Sequence, residues 1–179
     1  MSVDVPAVLY SVIDEIGKAK IRADVSSDIA QSRQYCKQIL DMCMTKLGAS
    51  ADEETVASFC EALLHFMLTV SLLPSQRKIN IRGVDVDIVI PSTRILLSSP
   101  EKSILIQFIK TRADVERISK LDTLQPIAEN IWLVTPSRLV TTRPRYDFDG
   151  DFSFSEIIND IYVFVTRNGV SGLKLFHGQ

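Results

Sequence analysis

The sequence predicts an α/β protein in which a mixed β-sheet is flanked by helices and preceded by a helical N-terminal extension. Up to about residue 75, apolar residues recur at the three-to-four-residue spacing of helices. From residue 78 onward, alternating and β-branched runs typical of strands appear, with two helical patterns among them. A strand, a helix and a further strand form a parallel crossover, whereas strands joined by tight turns pair antiparallel. The order α-α-α-β-β-β-β-α-β-α therefore predicts a sheet of both kinds.

The first part of the chain is predicted to be entirely helical. The second half of its third helix, FCEALLHFMLTVSLL, is apolar nearly all round, which is typical of a helix buried in a core. A boundary near residue 50 then divides the chain into a helical N-terminal extension, residues 1–50, and an α/β domain, residues 51–179. The three predicted helices cover residues 6–20, 26–47 and 52–74.

The second part of the chain is predicted to alternate between strands and helices. Ser153 and Glu156 have the spacing of a capping box at the start of the last helix. The segment RPRYDFDGD, residues 143–151, is rich in turn residues and is predicted to be a loop. The predicted strands cover residues 78–82, 84–90, 94–98, 104–110, 130–136 and 173–176, and the predicted helices residues 111–124 and 153–167.

Composition excludes several classes of protein. A formal net charge of −2 gives no global attraction to nucleic acid or to a membrane surface. The apolar runs are shorter than the roughly 18 residues of a membrane span, and the first residues carry Asp4 without a basic segment. Cys36, Cys43 and Cys60 lie in helical stretches without metal-ligand spacing, which favours free thiols. A cytoplasmic protein is expected.

Charge is distributed unevenly along the chain. Residues 76–145 contain twelve Lys or Arg against seven Asp or Glu, while both flanking segments are acidic. A positive central segment would suit an anionic partner. An excess of five charges over this length also arises by chance, so both interpretations stay open.

Four successive segments resemble the core of the PD-(D/E)XK nuclease superfamily, the restriction-endonuclease-like fold. VDVDIVIP, residues 84–91, resembles the second core strand of that family, with Asp87 at its metal-binding aspartate. ILIQFIKT, residues 104–111, resembles the next strand, with Lys110 at its lysine. RADVERISKL and NIWLVTP resemble the helix and the parallel strand that follow. The resemblance covers about residues 52–137.

The resemblance implies phosphodiester hydrolysis assisted by Mg²⁺ or Mn²⁺. Hard oxygen ligands would hold the metal ion, which stabilises the growing phosphate charge and activates water. Asp87 would be a metal ligand, and Lys110 would orient or deprotonate the water.

The chain departs from the family pattern at one decisive position. The acid of the motif stands two residues before the lysine and shares its face, but here that residue is Phe108. Gln107 could supply an oxygen only if a β-bulge turned it toward Lys110. Glu61 on the preceding helix and Asp85, two residues before Asp87, are further candidate carboxylates. We expect Phe108 to close the site.

A group of arginines follows the core strands and helices. Their guanidinium groups could contact phosphates, and together they could form one basic surface. The candidate nucleic-acid-binding residues are Arg94, Arg112, Arg138, Arg143 and Arg145.

Three functional hypotheses follow from these features. The first is a nuclease-like fold with an incomplete metal site that serves as a binding module for DNA or RNA. The second is an active divalent-metal endonuclease that uses Asp87, Gln107, Lys110 and Glu61. The third is a scaffold that forms a homo-oligomer or binds a protein partner through its N-terminal helices, since the strongly apolar third helix exceeds what one small sheet needs to cover.

Overall fold

The computed structural model describes residues 3–48 and 51–169. Within them, helices and strands follow the predicted general order. The helices are α1 Val5–Ile16, α2 Lys18–Ser27, α3 Ser32–Leu47, α4 Glu53–Val70, α5 Thr93–Ser98, α6 Arg112–Leu121 and α7 Ile157–Arg167. The strands are β1 Gln76–Ile81, β2 Val84–Ile90, β3 Ile104–Phe108, β4 Ile131–Thr135 and β5 Arg145–Asp147.

The five strands form one mixed sheet in the order β1-β2-β3-β4-β5. Strands β1, β2 and β3 pair antiparallel, with Ile79 opposite Val86 and Ile88 opposite Ile106. Strands β3, β4 and β5 pair in parallel, with Ile106 opposite Trp132. The predicted mixed sheet flanked by helices is therefore confirmed, because the β3–α6–β4 unit supplies the parallel crossover and the β1–β2 hairpin the antiparallel pair.

Each face of the sheet packs against its own apolar core. The larger core lies between the sheet and helices α1, α3, α4 and α7. The smaller core lies on the other face, beneath α6. Burial on both faces explains why every residue of β3 and β4 is buried and why their sequences are mostly apolar rather than alternating. The larger core takes Ile88, Ile90, Ile104, Ile106, Phe108, Trp132, Val134 and Tyr146 from the sheet, and the smaller core takes Ile81, Val84, Val86, Val89, Leu105, Ile131 and Leu133.

Among the helices of the described residues, α4 has the most buried side chains. Asp52 caps it by accepting a hydrogen bond from the Thr55 N–H, and ten of its residues are buried. It contacts α1, α2, α3 and α7. The apolar surface that motivated the scaffold hypothesis is thus covered within the chain itself. The division into residues 1–50 and 51–179 stays a prediction, although α1 and α3 share the larger core with α4.

The predicted helix over residues 6–20 is wrong in one respect, because two helices stand there. Gly17 has φ of 102°, a conformation outside the helical region, and it ends α1 before α2 begins. The predicted start of the second helix at Ser26 or Ser27 is also wrong. Those residues end α2, and α3 begins only at Ser32 after a 3₁₀ turn.

The predicted strand over residues 94–98 is a helix, α5. Ser92 caps this helix by accepting a hydrogen bond from the Ile95 N–H, and Pro91 ends the preceding strand. A short apolar run such as RILL has no clear helical or strand period, so the sequence pattern alone does not distinguish the two.

Near the C-terminus, the predicted loop over residues 143–151 contains a strand, β5. The predicted capping box at Ser153 does not form, since the Ser153 hydroxyl instead accepts a hydrogen bond from the Asp147 N–H at 2.7 Å. The predicted edge strand over residues 173–176 lies outside the described residues. No helix of the described part is long and apolar enough to cross a membrane.

Candidate functional site

The β1–β2 hairpin places a lysine opposite the candidate aspartate. Arg82 and Gly83, both with positive φ, form the two-residue turn. Counting back from this turn, Ile79 pairs with Val86 and Arg77 with Ile88, so Lys78 stands opposite Asp87. The hairpin thus joins two opposite charges across neighbouring strands.

The strands are distorted where these two residues meet. Lys78 has φ of 51°, which is uncommon for a residue other than glycine. On β2, Val84 and Val86 pack in the smaller core, whereas Ile88 packs in the larger one. In a regular strand these three residues would share a face, so β2 departs from regular alternation between Val86 and Ile88. The face to which the side chains of β2 point therefore changes at Asp87. This change leaves the Asp87 carboxylate between β2 and β3.

The Asp87 carboxylate joins β2 to β3 where the backbone pairing of the two strands has ended. Its Oδ2 accepts a hydrogen bond from the Phe108 N–H at 2.9 Å, where β2 no longer pairs with β3. Its Oδ1 lies 3.2 Å from the Lys78 Nζ. The aspartate is 8 % exposed, so it is held by these donors rather than by water.

Glu61 on α4 faces the same point from the helical side. Its Oε1 lies 2.5 Å from the Lys78 Nζ, and its Oε2 is paired with the Lys110 Nζ. Lys110 stands two residues after the end of β3, and its ammonium group reaches Glu61 on α4. Two carboxylates and two ammonium groups therefore form one cluster of zero formal charge. We call Glu61, Lys78, Asp87 and Lys110 the carboxylate–lysine cluster.

The cluster shifts the ionisation of its members. Burial works to raise the pKa of Glu61, but the hydrogen bonds and charges of Lys110 and Lys78 outweigh it and hold that pKa below its ordinary value. Burial likewise works to lower the pKa of Lys78, and Glu61 and Asp87 together raise it above its ordinary value. Both shifts favour the charged forms at neutral pH.

The lowered pKa of Glu61 predicts a stability effect in acid. The unfolded chain takes up a proton on this side chain at a higher pH than the folded chain does. The contribution of Glu61 is therefore present above about pH 4.3 and is lost as the pH falls below it. In Glu61→Gln, we expect a shallower fall of the free energy of unfolding between about pH 5 and about pH 3, measured by urea denaturation at each pH.

The control for this experiment is Glu54→Gln, which removes an exposed carboxylate from the same helix. It should leave the acid dependence nearly as in the wild type. Equal slopes for the wild type and Glu61→Gln would contradict the ion pairs described for Glu61.

The structure brings together three of the four predicted catalytic residues. Asp87, Lys110 and Glu61 lie in the cluster, whereas Gln107 does not. β3 keeps one constant register with β4 and contains no bulge, so Gln107 points to the opposite face with Leu105 and Ile109. It is fully buried, and neither polar atom of its side chain has a hydrogen-bond partner in the described part of the chain.

Phe108 and Asp85 take other roles. Phe108 is 1 % exposed and packs in the larger core, so it offers the site its backbone N–H and no side-chain oxygen. Asp85 is exposed near the hairpin turn, where it accepts a hydrogen bond from Asn80 at 2.8 Å. It makes no contact with the cluster.

Sequence analysis missed Lys78, which contacts both carboxylates. A signal was present, because a two-residue turn at Arg82–Gly83 places Lys78 opposite Asp87. The strand predicted over residues 78–82 includes Arg82, which belongs to the turn. With that boundary, the pairing of Lys78 with Asp87 is not predicted.

A basic cavity adjoins the cluster. It has a volume of about 380 Å³ and opens where the parallel strands β3 and β4 end and α6 begins. The basic residues of its lining are Lys110, Arg112 and Arg138, and its acidic residue is Glu53. Glu53 forms a two-point ion pair with Arg138, at 3.0 and 2.6 Å. The side chains of Arg112 and Arg138 are 93 % and 72 % exposed.

The other predicted arginines lie apart from this cavity. Arg143 pairs with Asp122 just beyond the end of α6, about 15 Å along the helix from Arg112. Arg145 contacts Asp147 and the carbonyls of the 137–139 loop, and so supports the chain beside the cavity. Arg94 is exposed on α5 and does not line the cavity. Of the five predicted arginines, Arg112 and Arg138 line the cavity, and Arg94, Arg143 and Arg145 do not.

The divalent metal implied by the family resemblance does not fit these side chains as they stand. All four carboxylate oxygens of Glu61 and Asp87 face protein donors, and position 108 provides no oxygen. Over residues 3–48 and 51–169, no three His, Cys, Asp or Glu side chains form a group that could hold a metal ion.

The mixed sheet and the helices packed on its two faces define a restriction-endonuclease-like fold. Solved structures with the same fold confirm it. Restriction endonuclease PspGI in complex with its substrate DNA has a TM-score of 0.58 and 15 % identity, over 91 % of this chain and 93 % of that one. Metal-depleted Ecl18kI in complex with uncleaved, modified DNA has a TM-score of 0.57 and 11 % identity, over 98 % of this chain and 83 % of that one.

A second structure of metal-depleted Ecl18kI, with uncleaved DNA, has a TM-score of 0.55 and 12 % identity, over 98 % of this chain and 83 % of that one. No protein-family model and no curated protein matches the sequence. At these identities the likeness concerns the fold.

Proposed function

We propose that this chain is a DNA-binding module built on a nuclease-like fold with an incomplete metal site. The observation that carries the proposal is the basic cavity beside the carboxylate–lysine cluster. Its lining has three cationic side chains and one acidic one, although the whole chain is slightly acidic. Phosphate groups are recognised by such clusters of Lys and Arg.

The position of the cavity supports the same proposal. It lies at the carboxyl ends of two neighbouring parallel strands, where open α/β sheets bind ligands. Arg112 and Arg138 are exposed and reach outward from two different segments, so one phosphate backbone could contact both. Similar solved folds were captured with DNA.

The cluster itself supports binding without cleavage. Glu61 and Asp87 are neutralised by lysines of the same chain, and Phe108 replaces the carboxylate of the family motif. Asp87, Glu61 and Lys110 then act chiefly to join β2, β3 and α4. An active endonuclease is the alternative, and it requires these carboxylates to exchange their lysines for a metal ion.

DNA binding is tested by fluorescence anisotropy with labelled duplex, single-stranded and branched DNA, and with RNA of the same sequence. In Arg112→Gln/Arg138→Gln, we expect the affinity for DNA at low salt to fall at least tenfold. The slope of log affinity against log salt should become shallower by about 2, since each lost phosphate contact removes roughly 0.9.

The matched control is Arg22→Gln/Arg167→Gln, which removes two exposed arginines from α2 and α7. It should change the affinity by less than the cavity variant does. Wild-type protein that binds none of the DNA probes at low salt would rule the proposal out, and tighter binding to RNA would replace DNA by RNA as the partner.

A further inference from the structure

The Lys78 ammonium group lies between two carboxylates. It is 2.5 Å from Glu61 Oε1 and 3.2 Å from Asp87 Oδ1, so one cation contacts one oxygen of each acid. The remaining oxygens are taken by the Lys110 Nζ and the Phe108 N–H. A small divalent cation held by two carboxylates would take the same central position, because it too needs one oxygen from each.

The backbone of Lys78 has an unusual conformation, and its side chain lies between the two carboxylates. Its φ of 51° departs from a regular strand, while Arg77 and Ile79 on either side keep their normal partners on β2. The distortion is therefore local to Lys78 and Asp87. A residue other than glycine keeps such a conformation only when its surroundings fix it, and the ion pairs of Lys78 with the two carboxylates contribute to this.

The charges of the cluster also argue against a divalent cation beside Lys78. With both lysines present the cluster is neutral, so adding a divalent cation would leave an excess of two positive charges in a largely buried place. Without Lys78 the cluster carries a net charge of −1 and has one free oxygen on each acid. About half of the Lys78 side chain is exposed, so an ion from solution could reach the position once the ammonium group is gone.

We propose that Lys78 is a built-in cation that occupies the divalent-metal position between Glu61 and Asp87, and that its removal creates a metal site there. This inference depends on the cluster alone and not on DNA binding. It is therefore tested without nucleic acid, and it can hold or fail independently of the function proposed above.

The test is a titration with Mn²⁺, followed by isothermal calorimetry and by the electron paramagnetic resonance signal of the free ion. Lys78→Gly and Lys78→Asn remove the ammonium group with residues that accept a positive φ. We expect both variants to bind one Mn²⁺ at least tenfold more tightly than the wild type does. Adding Asp87→Asn to Lys78→Gly should abolish that binding.

Arg77→Gln is the matched control, because it removes one positive charge from the neighbouring, exposed position of the same strand. It should bind Mn²⁺ no better than the wild type. Equal affinity in Lys78→Gly and the wild type would overturn the proposal. If neither Lys78 variant folds, the same titration is made with the wild type and with Asp87→Asn. Wild-type binding of Mn²⁺ that Asp87→Asn abolishes would overturn the proposal, and a wild type that binds no Mn²⁺ at Asp87 would support it.

Discussion

Replacement of Phe108 with alanine is expected to lower the free energy of unfolding by about 3–5 kcal/mol. The side chain is 1 % exposed and is one of the largest fully buried side chains of the described part. It packs in the larger core with Ile106 and Val134. Truncation removes apolar contacts and leaves a cavity that rigid neighbouring strands fill only in part. Urea denaturation at neutral pH measures the loss.

The control for Phe108 is Tyr10→Ala, which truncates an aromatic side chain that is 49 % exposed. It should cost less than about 1 kcal/mol. A similarly small loss for Phe108→Ala would contradict the burial of this residue.

Replacement of Asp87 with alanine is expected to cost about 2–3 kcal/mol. The Phe108 N–H would lose its acceptor inside the sheet, and Lys78 would lose one of its two partners. A buried donor left without an acceptor costs more than an ordinary hydrogen bond contributes. Asp87→Asn keeps an acceptor for the Phe108 N–H, so it should recover a good part of the loss.

Asp85→Ala provides a matched control on the same strand. Asp85 is exposed and bonds only to the Asn80 side chain, so its loss should cost about 0.5 kcal/mol or less. The comparison is made by thermal and urea denaturation of all three variants. If Asp85→Ala and Asp87→Ala were equally mild, the Asp87 carboxylate would not be holding β2 to β3.

The sequence predicted the sheet and the core of the site because their signals are local. The apolar runs of β3 and β4, the Thr111 cap of α6 and the Asp87–Lys110 spacing can all be recognised in short windows. The resemblance to the nuclease family then predicted how these segments are arranged in one fold. The choice of Phe108 over Gln107 as the residue on the Lys110 face needed only the alternation of a regular strand.

Other features depend on contacts that a short window does not contain. Strand β5 has three residues and exists because it pairs with β4, which lies ten residues earlier. Lys78 reaches Glu61 only because β2 turns over at Asp87 and α4 covers that end of the sheet. The five arginines were grouped by sequence position, whereas the length of α6 separates Arg143 from Arg112. Tertiary geometry decided each of these.

One experiment distinguishes a DNA-binding module from an active endonuclease. Wild-type protein is mixed with labelled duplex DNA, and both binding and cleavage are measured with and without Mg²⁺ or Mn²⁺. We expect salt-dependent binding and intact DNA in every condition. Asp87→Ala and Lys110→Ala are run beside the wild type, so that a contaminating nuclease is recognised by cleavage that survives both changes. Metal-dependent cleavage by the wild type that is lost in both variants would contradict the account and establish an active endonuclease.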